Sequence, residues 1–168
     1  MYPRHLKAFD YQGCHRYFLT FCTFERQRHF VIRERVDLVL TQILRAAAEE
    51  GFAVVAYCFM PDHVRLLIEG TSLDSDGRRF IRKAKQYSGF YFKQSLGGEL
   101  WQRYGYEHVL RNEEDLLPVA RYILENPVRA GLVDRVDDYP FSGSRVYAIA
   151  DILEAVAMDW RSGKGRSS

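Results

Sequence analysis

A chain of 168 residues, 47% of them hydrophobic and 14% aromatic, is long enough for one globular domain with a substantial core. Its formal net charge is only +2, so a polyanionic partner can be argued only from where the charges lie. Three separated cysteines (Cys14, Cys22, Cys58) form no CxxC pair and exclude a disulfide framework. They point to a reducing, cytoplasmic compartment, and neither a signal peptide nor an apolar run of membrane-spanning length is expected.

The predicted elements follow in chain order. HRYFLTFCTF (15–24) is aromatic and β-branched with partial alternation, which predicts a strand. ERVDLVLTQILRAAAEEG (34–51) carries apolar residues at helical spacing and ends on Gly51. FAVVAYCFM (52–60) is a continuous apolar run suited to a buried strand. Pro61-Asp62 is a turn signal, and HVRLLIEG (63–70) is the returning strand of a hairpin. After a polar loop at 72–77, RRFIRKAKQYSGFYFKQSLG (78–97) predicts a second helix, and YEHVLRN (106–112) a short strand. EEDLLPVARYILENP (113–127) predicts a third helix, with acids in its first turn and Asn126-Pro127 as its stop. DILEAVAMDW (151–160) predicts a short last helix, and RSGKGRSS a disordered tail. The order β-α-β-β-α-β, with a helix after it, predicts an α+β, ferredoxin-like sandwich built on one antiparallel sheet. Residues 1–150 read as one domain, and 151–168 as a short helix and tail.

Four stretches carry candidate chemistry. In MPDHVRLLIEG (60–70), side chains two apart on a strand share a face, so His63 and Arg65 stand side by side. In YILEN, Tyr122 and Asn126 lie one helical turn apart. They are either a packed tyrosine with a capping asparagine, or a nucleophile with a metal ligand held one turn away. The second helix bears Arg78, Arg79, Arg82, Lys83, Lys85 and Lys93 with interleaved aromatics and no acid between 77 and 98. That pattern suits phosphate neutralisation and base stacking, or merely a solvated basic face. WQRYGYEH (101–108) adds Trp101 and Arg103, which are either a recognition surface or a loop folding its rings inward.

AYCFMPDHVRLLIEG, WQRYGYEHVLRNEEDLLPVARYILENPVRAGLV and YPFSGS together resemble the REP-associated tyrosine transposases, a branch of the HUH single-tyrosine transposases of small insertion sequences. The resemblance runs from about residue 15 to residue 147. It implies a ferredoxin-like fold with an additional catalytic helix. It also implies cleavage and rejoining of hairpin-forming single-stranded DNA through a 5′-phosphotyrosine. In that family a His-hydrophobic-His strand, with a polar residue four after the tyrosine, holds Mg²⁺ or Mn²⁺. The resemblance therefore implies Tyr122 as nucleophile and His63 and Asn126 as metal ligands. Arg65 departs from the pattern, standing where the second histidine is expected. A guanidinium cannot ligate a metal and would repel one, but it can bind phosphate through two hydrogen bonds.

Three functions follow as expectations. The first is a transposase-like nicking and joining enzyme. The second is a catalytically impaired or domesticated hairpin-binding protein. The third is a protein-interaction module in which Tyr122 is only packed. Tyr104 and Tyr106 rank below Tyr122, having no polar partner four residues on. His108, a conceivable stand-in ligand, reads as a hydrogen-bonded surface histidine. The partner expected is a single-stranded DNA hairpin, with no membrane, and the chain reads as a monomer, a homodimer being the alternative.

Overall fold

The computed structural model describes residues 9–111 and 115–155. The chain forms β1 (Arg16–Cys22), α1 (Arg33–Glu50), β2 (Phe52–Met60), β3 (His63–Gly70), α2 (Gly77–Leu96) and β4 (Tyr106–Leu110). There follow α3 (Leu116–Leu124), a single turn α4 (Asn126–Arg129), β5 (Ser142–Gly143) and α5 (Ile149–Leu153). The strands make one antiparallel sheet in the order β4-β1-β3-β2-β5. Its first four strands have the expected ferredoxin-like order, and β5, hidden in YPFSGS, adds an edge.

Local chemistry sets the element ends. Gly51 closes α1 in the left-handed region at φ 72°, where a side chain would be strained. Asp76 caps α2 by accepting the Arg79 N–H at 3.1 Å.

The sheet separates two cores. Tyr17, Leu19, Phe21, Val64, Leu66 and Ile68 pack towards α1 and α2. Phe18, Val55, Ala56, Cys58, Met60 and Leu67 pack towards α3 through Val119, Ala120, Ile123 and Leu124. Burying an Ile or Leu side chain contributes about 1.5–3 kcal/mol, so these contacts hold α3 to the sheet. A register shift between Val54 and Ala56 puts Val55 and Ala56 in the same core. Beyond it alternation resumes, and Cys58 and Met60 pair with Arg65 and His63.

The third helix departs from expectation. Regular helix ends at Leu124, and Asn126 opens a separate turn with Pro127 in its first positions. Backbone bonds from Glu125 to Arg121 (2.9 Å) and from Arg129 to Glu125 (3.0 Å) bridge the junction. Proline therefore starts a new turn here, which its fixed φ permits, instead of stopping the chain. The fourth strand ends at Leu110, before the predicted limit. The last helix begins at Ile149. Glu113 and Glu114, residues 156–160 and the tail lie outside the described residues.

Candidate active site

His63 opens β3 directly after the Pro61-Asp62 turn. Its Nδ1 lies 2.8 Å from Asp62 Oδ1. A carboxylate only accepts, so Nδ1 carries the proton and Nε2 is left as an acceptor. Burial, with Arg65 nearby, lowers the His63 pKa against the opposing pull of Asp62, so the ring is neutral at pH 7. Asp62 is itself held: its Oδ2 accepts from Arg26 Nε at 2.9 Å, and its carbonyl accepts from the Thr23 N–H and hydroxyl. Arg26 reaches it from a tight turn in which Glu25 and Arg26 both sit at φ 55°. Non-glycine residues in that region cost of order 1 kcal/mol each or more, so the site's floor includes a strained segment.

Two residues along the same face, Arg65 points its Nε at His63 Nε2, 3.4 Å away. Its guanidinium carbon is 5.9 Å from the Phe18 ring and 5.9 Å from the Tyr122 ring. Tyr122 is half-buried and, with Phe18, Thr20, Arg65 and Tyr106, lines an open cleft of about 360 Å³. Register explains the grouping, because Thr20 pairs with both Arg65 and Tyr106 across the sheet. The strand and helix periods thus bring Arg65 and Tyr122 together, with His63 joined through Arg65. Arg129, seven residues beyond Tyr122, adds a second cation. Its guanidinium lies 3.8 Å over the Tyr122 ring, and its Nη2 donates to the Tyr122 carbonyl at 2.6 Å.

The donor set does not fit a divalent ion as it stands. Asn126 Oδ1 is buried without a hydrogen-bond partner, which suits a cation or a water. The lone pair His63 would offer, however, faces the Arg65 guanidinium. Two positive groups cannot share that position, and among the described residues no three His, Cys, Asp or Glu side chains cluster. His108 shares this face two positions beyond Tyr106, opposite Phe18, and does not line the cleft.

On the other face of the sheet, a second cleft of about 460 Å³ runs between α2 and β4. Arg78, Arg82, Lys85 and Arg103 line it together with Tyr104 and Tyr106. Lys85 is buried enough for its pKa to fall, and its ammonium sits 5.0 Å from the Phe21 ring. The other three predicted DNA-contact residues lie elsewhere. Arg79 pairs with Glu50 at 3.4 Å, and Lys83 with Glu50 at 2.7 Å and Glu49 at 3.4 Å. The acids missing from α2 are supplied by α1. Trp101 donates its Nε1 proton to Ser88 Oγ at 2.9 Å and packs edge-on against Phe21, so it serves the core.

Sequence reasoning overlooked Arg26, Asp62 and Arg129. Asp62 directly precedes the histidine it holds, and Arg129 follows Tyr122 at two-turn spacing, so both signals were present. Nothing local in the sequence points Arg26 at Asp62.

A sheet of this order, carrying a histidine-bearing central strand beneath a helix that presents a tyrosine, is the arrangement that the resemblance to single-tyrosine transposases implies. The family description "Transposase IS200 like" matches residues 14–126, and the chain belongs to that family. Within it, the relatives are REP-associated. A Haemophilus influenzae protein named as a REP-associated tyrosine transposase is 30% identical, over 67% of this chain and 74% of its own. The REP-associated tyrosine transposase of Escherichia coli is 26% identical, over 69% of this chain and 68% of its own. The fold matches that of a REP-associated tyrosine transposase solved with a REP hairpin. The TM-score is 0.68 at 24% identity, covering 83% of this chain and 82% of that one.

Proposed function

We propose that this protein binds hairpin-forming single-stranded DNA and cleaves and rejoins it through Tyr122. The observation that carries this is the placement of Tyr122: its helix holds it over the sheet, at the edge of an open cleft, facing the cation Arg65. A hairpin as partner is taken from what the solved relative binds. The groove lined by Arg78, Arg82, Lys85 and Arg103 suits its phosphates.

The phenol of Tyr122 attacks phosphorus, forming an Oη–P bond as the P–O3′ bond breaks. The phenolic proton leaves to water, and the departing 3′ oxygen takes one up. One phosphoester replaces another, so attack by a second 3′-OH rejoins strands with no external energy source. Arg65 neutralises charge on the phosphate, and Asp62 fixes the neutral His63 ring beside it. Mg²⁺ or Mn²⁺, the cofactor the family resemblance implies, is excluded by Arg65 in the arrangement described. The protein acts as a monomer in the cytoplasm.

The test is a denaturing-gel assay for a covalent protein–DNA adduct on a pool of single-stranded hairpins with flanking strands. An adduct lost in Tyr122→Phe supports the reading, and none from the wild type defeats it. A second reading, a hairpin-binding protein without cleavage, is favoured by the Arg65–His63 contact alone. It predicts tight hairpin binding and no adduct under any condition.

A further inference from the structure

We propose that Arg129, stacked on the Tyr122 ring beside the cleft, is a catalytic residue, and that with Arg65 it forms a guanidinium pair that grips the scissile phosphate in place of a divalent ion. The proposal rests on the reading of Tyr122 as nucleophile.

Three observations carry it. First, both guanidinium carbons are close to one ring, at 3.8 Å for Arg129 and 5.9 Å for Arg65, and they come from different elements, a helical turn and the sheet. The distance between them cannot exceed the sum of those two. Second, neither arginine forms an ion pair with a carboxylate among the described residues, whereas Arg16, Arg26, Arg79, Lys83 and Arg121 all do. Glu125 is near enough to act on Arg129 but is ion-paired with Arg121, so the two like charges keep a field that an incoming anion relieves. Third, the donors are underused. Arg129 spends one N–H on the Tyr122 carbonyl and Arg65 one on His63 Nε2, although a guanidinium carries five. The remaining N–H groups can form the paired hydrogen bonds that suit phosphate oxygens.

Their division of labour follows from position. Arg129 rides with Tyr122 on α3–α4 and keeps a cation at the attacking oxygen's own ring. Arg65 stands on the sheet across the cleft, where the second metal-binding histidine is otherwise expected. A phosphate at the Tyr122 hydroxyl meets positive charge from both arginines, which stabilises the extra negative charge of the pentavalent transition state.

Adduct formation on the hairpin pool, in chelator and in Mn²⁺, tests the pair. The wild type is expected to react equally in both. Arg129→Gln should lose about 100-fold in rate, a loss typical of one transition-state donor, with partial recovery in Arg129→Lys. Chelator abolishing the wild-type reaction overturns the proposal, and so does an Arg129→Gln variant that reacts at the wild-type rate. Hairpin affinity against salt, measured in chelator and in a Tyr122→Phe background, gives an arm independent of cleavage. Adding Arg129→Gln should lower the log–log slope by about 0.7, one phosphate contact on single-stranded DNA. An unchanged slope rejects the clamp. Should the wild type form no adduct, the nucleophile reading falls, and this slope alone decides whether Arg129 holds phosphate. The hydrogen bond to the Tyr122 carbonyl is monitored separately by the melting temperature, and a purely structural role moves that and not the slope.

Discussion

The two faces of the sheet use positive charge differently. On the α1–α2 face it is plentiful and partly neutralised: Arg79 and Lys83 are tied to Glu49 and Glu50, while Arg78, Arg82, Lys85 and Arg103 open onto a groove. On the α3 face Arg16 and Arg121 are answered by Glu69 and Glu125, while Arg65 and Arg129 stand against Tyr122 with no carboxylate ion-paired to either among the described residues. A basic residue therefore says little by its presence. What matters is whether an acid from another element already answers it.

The sharpest way to break this contrast is to remove the tyrosine hydroxyl. Tyr122→Phe is expected to eliminate the covalent adduct while changing hairpin affinity by no more than about fivefold, as read by gel and by anisotropy titration, since a single hydrogen-bonding group is worth about 1 kcal/mol. Equal losses of adduct and affinity would merge the two faces into one binding surface.

A second change converts the α3 face to different chemistry. Arg65→His removes the fixed charge from His63 Nε2 and supplies a neutral nitrogen. Binding of Mn²⁺, followed by calorimetry, should then appear, with His63 and Asn126 as the companion ligands, and adduct formation should become metal-dependent. A variant that ignores Mn²⁺ would show that Asn126 does not converge on the histidine.

The groove is tested by paired substitutions. Arg78→Gln and Arg82→Gln should each flatten the salt dependence of hairpin binding, by a log–log slope of about 0.7. Arg79→Gln should leave that slope unchanged. Lys83→Gln should also leave it unchanged, but lower the melting temperature by removing the nearer of the two cations on the buried Glu50 carboxylate. If all four act alike on binding, the division drawn from the ion pairs is wrong.

The smallest effect expected is on stability against pH. Burial holds His29, His63 and His108 below the ordinary value of 6.5. The unfolded chain then binds more protons than the folded one as pH falls below about 6.5, so stability declines on acidification. Denaturant midpoints at pH 7 and pH 5 measure this. His63→Gln and His108→Gln should each reduce the difference.

Much of this was legible in the sequence because it is periodic. Strand alternation set His63 and Arg65 side by side, and the turn residues around 61–62 and 97–98 marked the segment ends within a residue or two. The nearness of Tyr122 to Arg65 was legible from spacing and resemblance together. The pairing of α2 with Glu49 and Glu50 was not, because it depends on how two helices pack and leaves no trace in either run of sequence. Trp101 was ambiguous for the same reason, since its half-buried ring is held by a bond to Ser88 on another element. The helical turn at Asn126–Arg129 is not legible in the run of sequence, because a proline opens a helix as readily as it ends one.

The extra residue in β2 has a consequence for how this chain tolerates change. Strands count in twos, and the shift at Val54–Ala56 inverts the parity between the two halves of β2. Upstream, Val54 belongs to the α1–α2 core, while downstream Cys58 and Met60 belong to the α3 core beside Arg65 and His63. Val55 is the residue that absorbs this inversion: Val54 faces Ile68 and Ala56 faces Leu67, with Val55 between them unmatched. Deleting Val55 would therefore leave a regular strand with Val54 still in the α1–α2 core and Ala56, Cys58 and Met60 still in the α3 core. Losing a residue downstream of the bulge, between Tyr57 and Met60, acts instead as a frame error in three dimensions, because it puts the strand out of phase with Arg65 and His63.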